Sequence, residues 1–559
     1  MSSPSDSAAT PAFHILTRHF LTGLCRPRVL DDAGQEGLHR VFLGTLAGAI
    51  TGGLLLTRVF GVKYAAFAGL RGTEAHELAR LADTAFLLCI PMLVVAALAN
   101  VHAGALFPDD IDYRVCMVLP VRRAVVFRAK LAALAIFVGV AVAAVHVALV
   151  PLLLLMWGGE GLDRALLARM PVFLLAGFGA SLTALTTVIV AHGVTLAVLP
   201  VQRRAAGMAS VRSAILVTLV VLVPLVTRLS SIGSALADRA TWLQVVPPLW
   251  FVGLEQGLLG RADPFFASLA WRGVAAVLIG TVLSAGLYTR LYRRFDSPAA
   301  VVAPVPCGRG WRQRLCRRER SADRAACGGV YAFTLATLWR SPLHQGVFTT
   351  LAACGLGLVV QRGTGSPGAV LAVPFVLILL SCAALKSALS LPHERRANWI
   401  FRQAEREANR PQQLRSVTTL FWRFGIVLPI VVSVPVQLWA GGPRMLAAVP
   451  VALTCGWLLM ECLLRGWRRI PFTCTYLPGR RVMAHTALIV LNSYVVFTVA
   501  GVGLSYVAPD HPGFVAATLA VLLAAAAAMR AGRLALWRTA PLEFDATPDD
   551  QPQTLGLCL

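Results

Sequence analysis

The chain has 559 residues, 57% hydrophobic and 14% charged, with mean hydropathy +0.70 and a formal net charge of +24. Soluble proteins carry about 25% charged residues, so this composition excludes an ordinary water-soluble enzyme. It fits a polytopic membrane protein, in which each spanning helix needs about 20 mostly apolar residues. The basic residues are spread along the whole chain, which argues for membrane topology and against nucleic-acid binding.

Residues 1–12 are small and polar, and no short apolar core follows before Arg18, so no cleavable signal peptide is read. Phe13, Leu16, Phe20 and Leu24 recur at helical spacing, with His14, Thr17 and Arg18 between them. That pattern predicts an interfacial helix on the inner leaflet or an ordinary cytoplasmic helix. Twelve apolar runs follow, near 41–57, 84–106, 131–157, 171–200, 213–229, 273–292, 344–361, 369–391, 424–440, 445–464, 482–507 and 513–529. A cytoplasmic N-terminus places 39 of the 51 Lys and Arg residues on inner segments and 12 on outer ones, so both termini are expected inside.

The expected fold class is an all-α integral membrane protein of about 12 transmembrane helices in two parallel six-helix halves. The divisions are an N-terminal region 1–40, a first half 41–292, a basic cytoplasmic linker 293–343, a second half 344–538 and a disordered acidic tail 539–559. Within the linker, Tyr331 to His344 reads as an amphipathic approach helix. The parallel repeat rests on four inner loops in which Leu-Pro precedes Arg-Arg: at Leu119-Pro120, Leu199-Pro200, Leu391-Pro392 and Leu477-Pro478. The third and fourth follow the first and second by 272 and 278 residues. Proline ends the preceding helix and the arginines hold the loop inside.

The longest outer segment, 230–272, carries Pro247, Pro248, Trp250 and Phe251, and prolines beside aromatics at a membrane face predict an interfacial or partly re-entrant element. The 12 cysteines avoid the outer loops, so no disulfide framework is implied.

Catalytic motifs are scarce. None of the three lysines (Lys63, Lys130, Lys386) follows a glycine, so the chain carries no P-loop ATPase of its own. Gly363 to Gly368 satisfies Gly-x-Gly-x-x-Gly, but in an outer turn without the strand a dinucleotide site requires. His393-Glu394-Arg395-Arg396-Ala397 begins like a zinc-protease helix and lacks the second His. No metal or other cofactor site and no enzyme activity are expected. His146, His192 and Glu461 are the main ionisable residues inside spans; the reading preferred is satisfied interhelical polar groups, with function as the alternative. The richest polar stretch is the inner loop from Phe107 to Arg123, with Asp109 and Asp112 near its start and Arg122 and Arg123 at its end. A short amphipathic helix so charged is favoured by the helix dipole and suits a protein partner's groove; a snorkelling membrane-edge helix is the plainer alternative.

At these residues the chain resembles ABC transporter permeases of the type-2 exporter superfamily, in a fused, roughly twelve-span bacterial branch. The stretches that carry the resemblance are Leu106-Phe107-Pro108-Asp109 with Asp112, Leu119-Pro120-Val121 and Lys130; Pro247 to Phe251; Arg396 to Arg402; and Ile470 to Gly479. The resemblance implies a bacterial inner-membrane permease that exports a substrate. It further implies coupling helices that dock on a separate ATP-binding subunit, with ATP bound on that partner. Carried onto this sequence, the docking residues are Phe107, Asp109, Asp112, Leu119, Arg122 and Arg123, and in the second half Arg395, Arg396, Trp399, Phe401 and Arg402. Typical members have six spans and dimerise; with about twelve here, monomer and homodimer both stand open. The alternative is a twelve-span ion-coupled secondary transporter, which the long basic linker suits, although no Gly-x-x-x-Asp-Arg-type loop follows the second span.

Overall fold

The computed structural model describes residues 9–25, 56–70, 73–103, 107, 123–157, 164–261, 263–294, 322–362, 367–391, 401, 403, 405, 407, 409–473, 494–507 and 510–544. Among them every regular element is helical, and nine helices are long and apolar enough to cross a membrane. A tenth crossing results if 329–339 and 344–360, bent by 77°, form one broken span. The chain is therefore an all-α, multi-pass membrane protein. Ten expected runs coincide with these helices; 41–55, most of the first run, and 482–493, the first part of the eleventh, lie outside the described residues. The chain divides into two compact units, Met1–Val305 and Pro306–Leu559, at a point inside the expected linker.

In the first unit, α1 (Ala9–Cys25) buries Leu16 and Phe20 against Val125, Val126, Ala129 and Ala133 near the start of α4 (Arg123–Trp157). The face whose spacing predicted a helix is thus covered by protein. Between them lie α2 (56–66) and α3 (Glu74–Val101). α3 begins ten residues before the expected run. Thr73 caps it by accepting from the His76 backbone N–H at 3.4 Å, and Glu74 and Glu77 sit in the first turn, where the helix dipole favours acids. The polar residues that hid this start, Arg80 and Asp83 among them, are buried inside the unit.

α5 (Arg164–Val198) is the unit's axis. α3, α6 (Val201–Val226), α7 (Pro247–Leu258) and α8 (Pro264–Arg294) all pack against it. Small residues permit the close crossings: at Gly280 of α8 a Cβ would run into the Thr186 hydroxyl of α5.

In the second unit, α9 (Ala322–Arg340) and α10 (Pro342–Arg362) lead to α11 (Pro367–Ser390), whose Phe375, Ile378, Cys382 and Leu385 are fully buried. α12 (Arg410–Leu420) runs through a π-helical stretch, Phe421–Val427, into α13 (Leu428–Gly441). Gly425 of that stretch lies against Cys382, where a Cβ would come within 2.9 Å of Sγ. α14 (Ala448–Leu463), α15 (Ala500–Val507) and α16 (Pro512–Thr539) complete the unit.

The last part of the expected linker is helical: α9 runs from Ala322 to Arg340, where the approach helix was expected from Tyr331 to His344. One expectation needs correction. The acidic tail is held as far as Phe544: the Glu543 carboxylate accepts from Arg468 at 2.5 Å and Arg469 at 2.7 Å, and Leu542 N–H donates to Glu405 at 3.0 Å. Burial alone would raise the Glu543 carboxyl, but the two arginines hold it below the usual carboxylate range. Residues 545–559 lie outside the described residues.

Candidate functional site

Of the expected docking residues, Phe107 and Phe401 are described. Asp109, Asp112, Leu119, Arg122, Arg395, Arg396, Trp399 and Arg402 lie outside the described residues, and Arg123 is described only as the first residue of α4. Phe107 is buried, its ring centroid 6.1 Å from that of Tyr288, and its carbonyl accepts from Lys130 Nζ at 2.9 Å. The base that follows the loop therefore holds the residue that opens it. In the second unit the corresponding segment begins at Leu391, whose carbonyl lies 3.0 Å from His344 Nε2. Phe401 packs its ring 5.3 Å from Phe333 at the edge of a core that includes Leu414 and Phe472. Each of the two residues that remain described from these segments is thus fastened to its own unit, Phe107 by Lys130 and Tyr288, and Phe401 by Phe333, with the Leu391 carbonyl held at His344.

The expected outer element is a 12-residue helix, α7. At 1.5 Å per residue it is about 18 Å long, too short to span. Pro247 and Pro248 occupy its first turn, where missing N–H groups cost nothing. Phe251 is fully buried, and Trp250 donates its indole N–H to Gln244 O at 2.8 Å. α7 folds back on α8 as a hairpin closed by Gly253, where a Cβ would stand 2.6 Å from Phe266 O and Leu269 Cβ. Its buried side carries Glu255 and Gln256. Glu255 Oε2 has no hydrogen-bond partner among the described residues. Burial pushes this carboxyl up to about 7, against the opposing charges of Arg80, Arg169 and Arg261.

Two buried networks were not foreseen. Asp83 is fully buried and accepts from Lys63 Nζ at 2.8 Å and from the Tyr64 hydroxyl at 2.7 Å. Glu461 pairs bidentately with Arg533 at 2.6 and 2.8 Å and also accepts from Trp457 Nε1 at 3.2 Å. Arg533 further reaches Thr418 Oγ1 at 3.2 Å and lies 4.2 Å from the Trp537 ring centroid. Glu461 is thus a satisfied interhelical group, as its preferred reading held. His146 and His192 are satisfied by half: each Nδ1 lies within 2.9 Å of the carbonyl four residues earlier, while each Nε2 is buried without a partner among the described residues.

Between α3, α5 and α6 lies a cavity of about 770 Å³. Its walls include Cys89, Leu93, Thr187, Ala214, Thr218 and Leu222, with Trp242, Pro247, Pro248 and Trp250 also lining it. Among the described residues, no group of three or more His, Cys, Asp or Glu side chains could hold a metal ion. Compared with known protein families, curated proteins and solved structures, the chain gives no match.

Proposed function

We propose that the chain is the membrane-spanning permease subunit of an ATP-binding-cassette transporter in a bacterial inner membrane, exporting a substrate with energy from a separate ATP-binding subunit. The observation that carries the reading is the paired anchoring of the segments after the second span of each half. Lys130 fastens Phe107, His344 fastens the Leu391 carbonyl, and Phe401 seats against Phe333. A docking segment can push a helix bundle only if it is tied to that bundle, and ties in both halves suit two coupling sites in one chain. Twelve spans with both termini inside, and a monomer or homodimer of the chain, belong to the same proposal.

ATPase stimulation by the purified chain tests it: replacing Asp109, Asp112 and Arg122 should abolish stimulation while the protein stays folded. A chain that transports alone on an ion gradient would sink it. The ion-coupled alternative draws support from Asp83 and Glu255, two buried carboxyl groups in one unit, because buried carboxylates serve as proton or cation sites in such carriers.

A further inference from the structure

Where α3 ends, α5 ends and α6 begins, the first unit carries a cation with no counter-charge. Arg212 of α6 is half-buried, and its guanidinium donates no hydrogen bond and joins no ion pair among the described residues. A guanidinium cannot shed its proton, so taking it partly out of water without an acceptor is costly. Such a residue within an apolar span marks a binding site by default.

Two orphan acceptors lie at the same junction. Asn100 of α3 is 2% exposed. Its Nδ2 donates to the Arg212 carbonyl at 3.0 Å, and its Oδ1 is buried without a partner among the described residues. His192 of α5 is fully buried. Its Nδ1 donates to Val188 O at 2.9 Å, which in the neutral ring leaves Nε2 as a bare acceptor. That atom too has no partner among the described residues. Helical spacing draws the three residues together. Asn100 follows Ala96 by four residues, His192 follows Val188 by four, and Arg212 precedes Ile215 by three. Each therefore shares a helix face with a residue that lines the cavity, and Ala96, Val188 and Ile215 pack in one apolar cluster. The positive charge of Arg212 acts on the imidazoles of His192 and of His102, the residue that caps α3. Burial first, and then Arg212, push His102 below the usual histidine range, so it brings no second positive charge.

The free groups select the ligand. Arg212 calls for an anion and repels a metal ion. A bare oxyanion would set its charge against the lone pairs of Asn100 Oδ1 and His192 Nε2. A neutral polyol would satisfy those lone pairs and leave the guanidinium uncompensated. One molecule that carries both an oxyanion and hydroxyl donors meets both demands.

We propose that this junction binds a small hydroxylated oxyanion, its charged end at Arg212 and its hydroxyls on Asn100 Oδ1 and His192 Nε2. Glycerol phosphate is a minimal phosphorylated example. It has two sources, a free solute and the headgroup of phosphatidylglycerol. The site stands independently of the permease reading, which ATPase coupling decides.

The test uses the full chain in phosphatidylcholine nanodiscs, titrated calorimetrically with glycerol 3-phosphate, methyl phosphate and glycerol. Glycerol 3-phosphate should bind about tenfold tighter than methyl phosphate, the factor given by one orphan acceptor regaining a donor, and glycerol should give no signal. Arg212→Gln should weaken glycerol 3-phosphate by about tenfold or more. His192→Leu should bring glycerol 3-phosphate toward methyl phosphate while methyl phosphate itself is unchanged, a pattern that general loosening of the bundle does not produce. Should either variant fail to fold, the order of the three probes on the wild-type chain decides. The lipid source is tested by native mass spectrometry of discs doped with phosphatidylglycerol or with phosphatidylmethanol, whose headgroup has the charge and lacks the hydroxyls. Selective binding of glycerol 3-phosphate marks a free solute's site; selective retention of phosphatidylglycerol without it marks a headgroup's. Both agree with the proposal. Equal response to glycerol 3-phosphate and methyl phosphate, with equal retention of the two lipids, would mean an unselective cationic spot and overturn it. No binding of any probe would mean that Arg212 is satisfied within the protein, and selective binding unchanged in Arg212→Gln would place the ligand elsewhere; either would overturn it as well.

Discussion

Arg533→Met isolates the strongest electrostatic link in the second unit. Arg533 is 5% exposed and Glu461 2%, so water does not screen the pair. The substitution keeps most of the side-chain volume and leaves the Glu461 carboxylate with Trp457 Nε1 as its one remaining donor among the contacts seen. Breaking a buried pair in this way costs about 3–5 kcal/mol, whereas removing both charges is often close to neutral. For a unit of about 250 residues a kcal/mol is worth roughly 2–4 °C, so Arg533→Met should lower the unfolding midpoint of this unit by about 10 °C. Arg533→Met with Glu461→Leu should recover at least half of that loss, the remainder being the Trp457 indole donor and the Thr418 hydroxyl acceptor left without their partners. Cys382, buried in the core of the same unit, is a built-in reporter. Its modification by a maleimide along a temperature ramp in mild detergent, read by mass spectrometry of the Cys382 peptide, gives the midpoint. A double variant as unstable as the single one would refute the reasoning, as would a single variant that melts with the wild type.

Three further outcomes are expected. Glu255 has a folded-state pKa of about 7 against an ordinary 4.5. Folding therefore favours its protonated form, a stabilisation fully present below about pH 4.5 and lost as pH rises through about 7. Relative to Glu255→Gln, the wild-type first unit should lose a few kcal/mol between about pH 5 and about pH 8, at about 1.4 kcal/mol per pKa unit. Parallel stability curves, followed through buried Cys89, would contradict this. Gly253→Val should force α7 off α8 at a cost of about 1–3 kcal/mol, and should expose the hairpin to protease; an unchanged digestion pattern would count against the close approach. Phe107→Ala should cost about 3 kcal/mol and speed cleavage between residues 108 and 122, because the buried ring fixes the start of that loop.

Hydropathy alone located most of the long helices, because an apolar run of spanning length has few other uses. Their ends were harder. The run starting at 84 and the run starting at 424 both continue a helix that begins earlier, at Glu74 and Arg410. Charged first turns mask such starts, although Thr73 followed by Glu74 and Glu77 is a readable capping signal. Arg533 was placed beyond the last span for the same reason, and only the extension of α16 to Thr539 brings it to Glu461. Asp83 and its partners were missed on different grounds: Lys63 and Tyr64 lie about 20 residues away in sequence and meet it only through the packing of α2 on α3. The prolines and aromatics of 247–251 did mark a separate short element, the helix α7, but nothing local announces that it buries a carboxyl. The cavity is a property of three helices at once and leaves no trace in any one of them.

The central claim is that a separate ATP-binding subunit drives this chain. Its most direct test is to purify the tagged full chain from its native membrane under mild detergent, identify what accompanies it, and measure ATP hydrolysis in nanodiscs. The account predicts an ATP-binding-cassette subunit in defined stoichiometry, with hydrolysis that depends on the chain and falls to background when Asp109, Asp112 and Arg122 are replaced together. Transport by the chain alone, persisting without ATP and collapsing with an uncoupler, would contradict it.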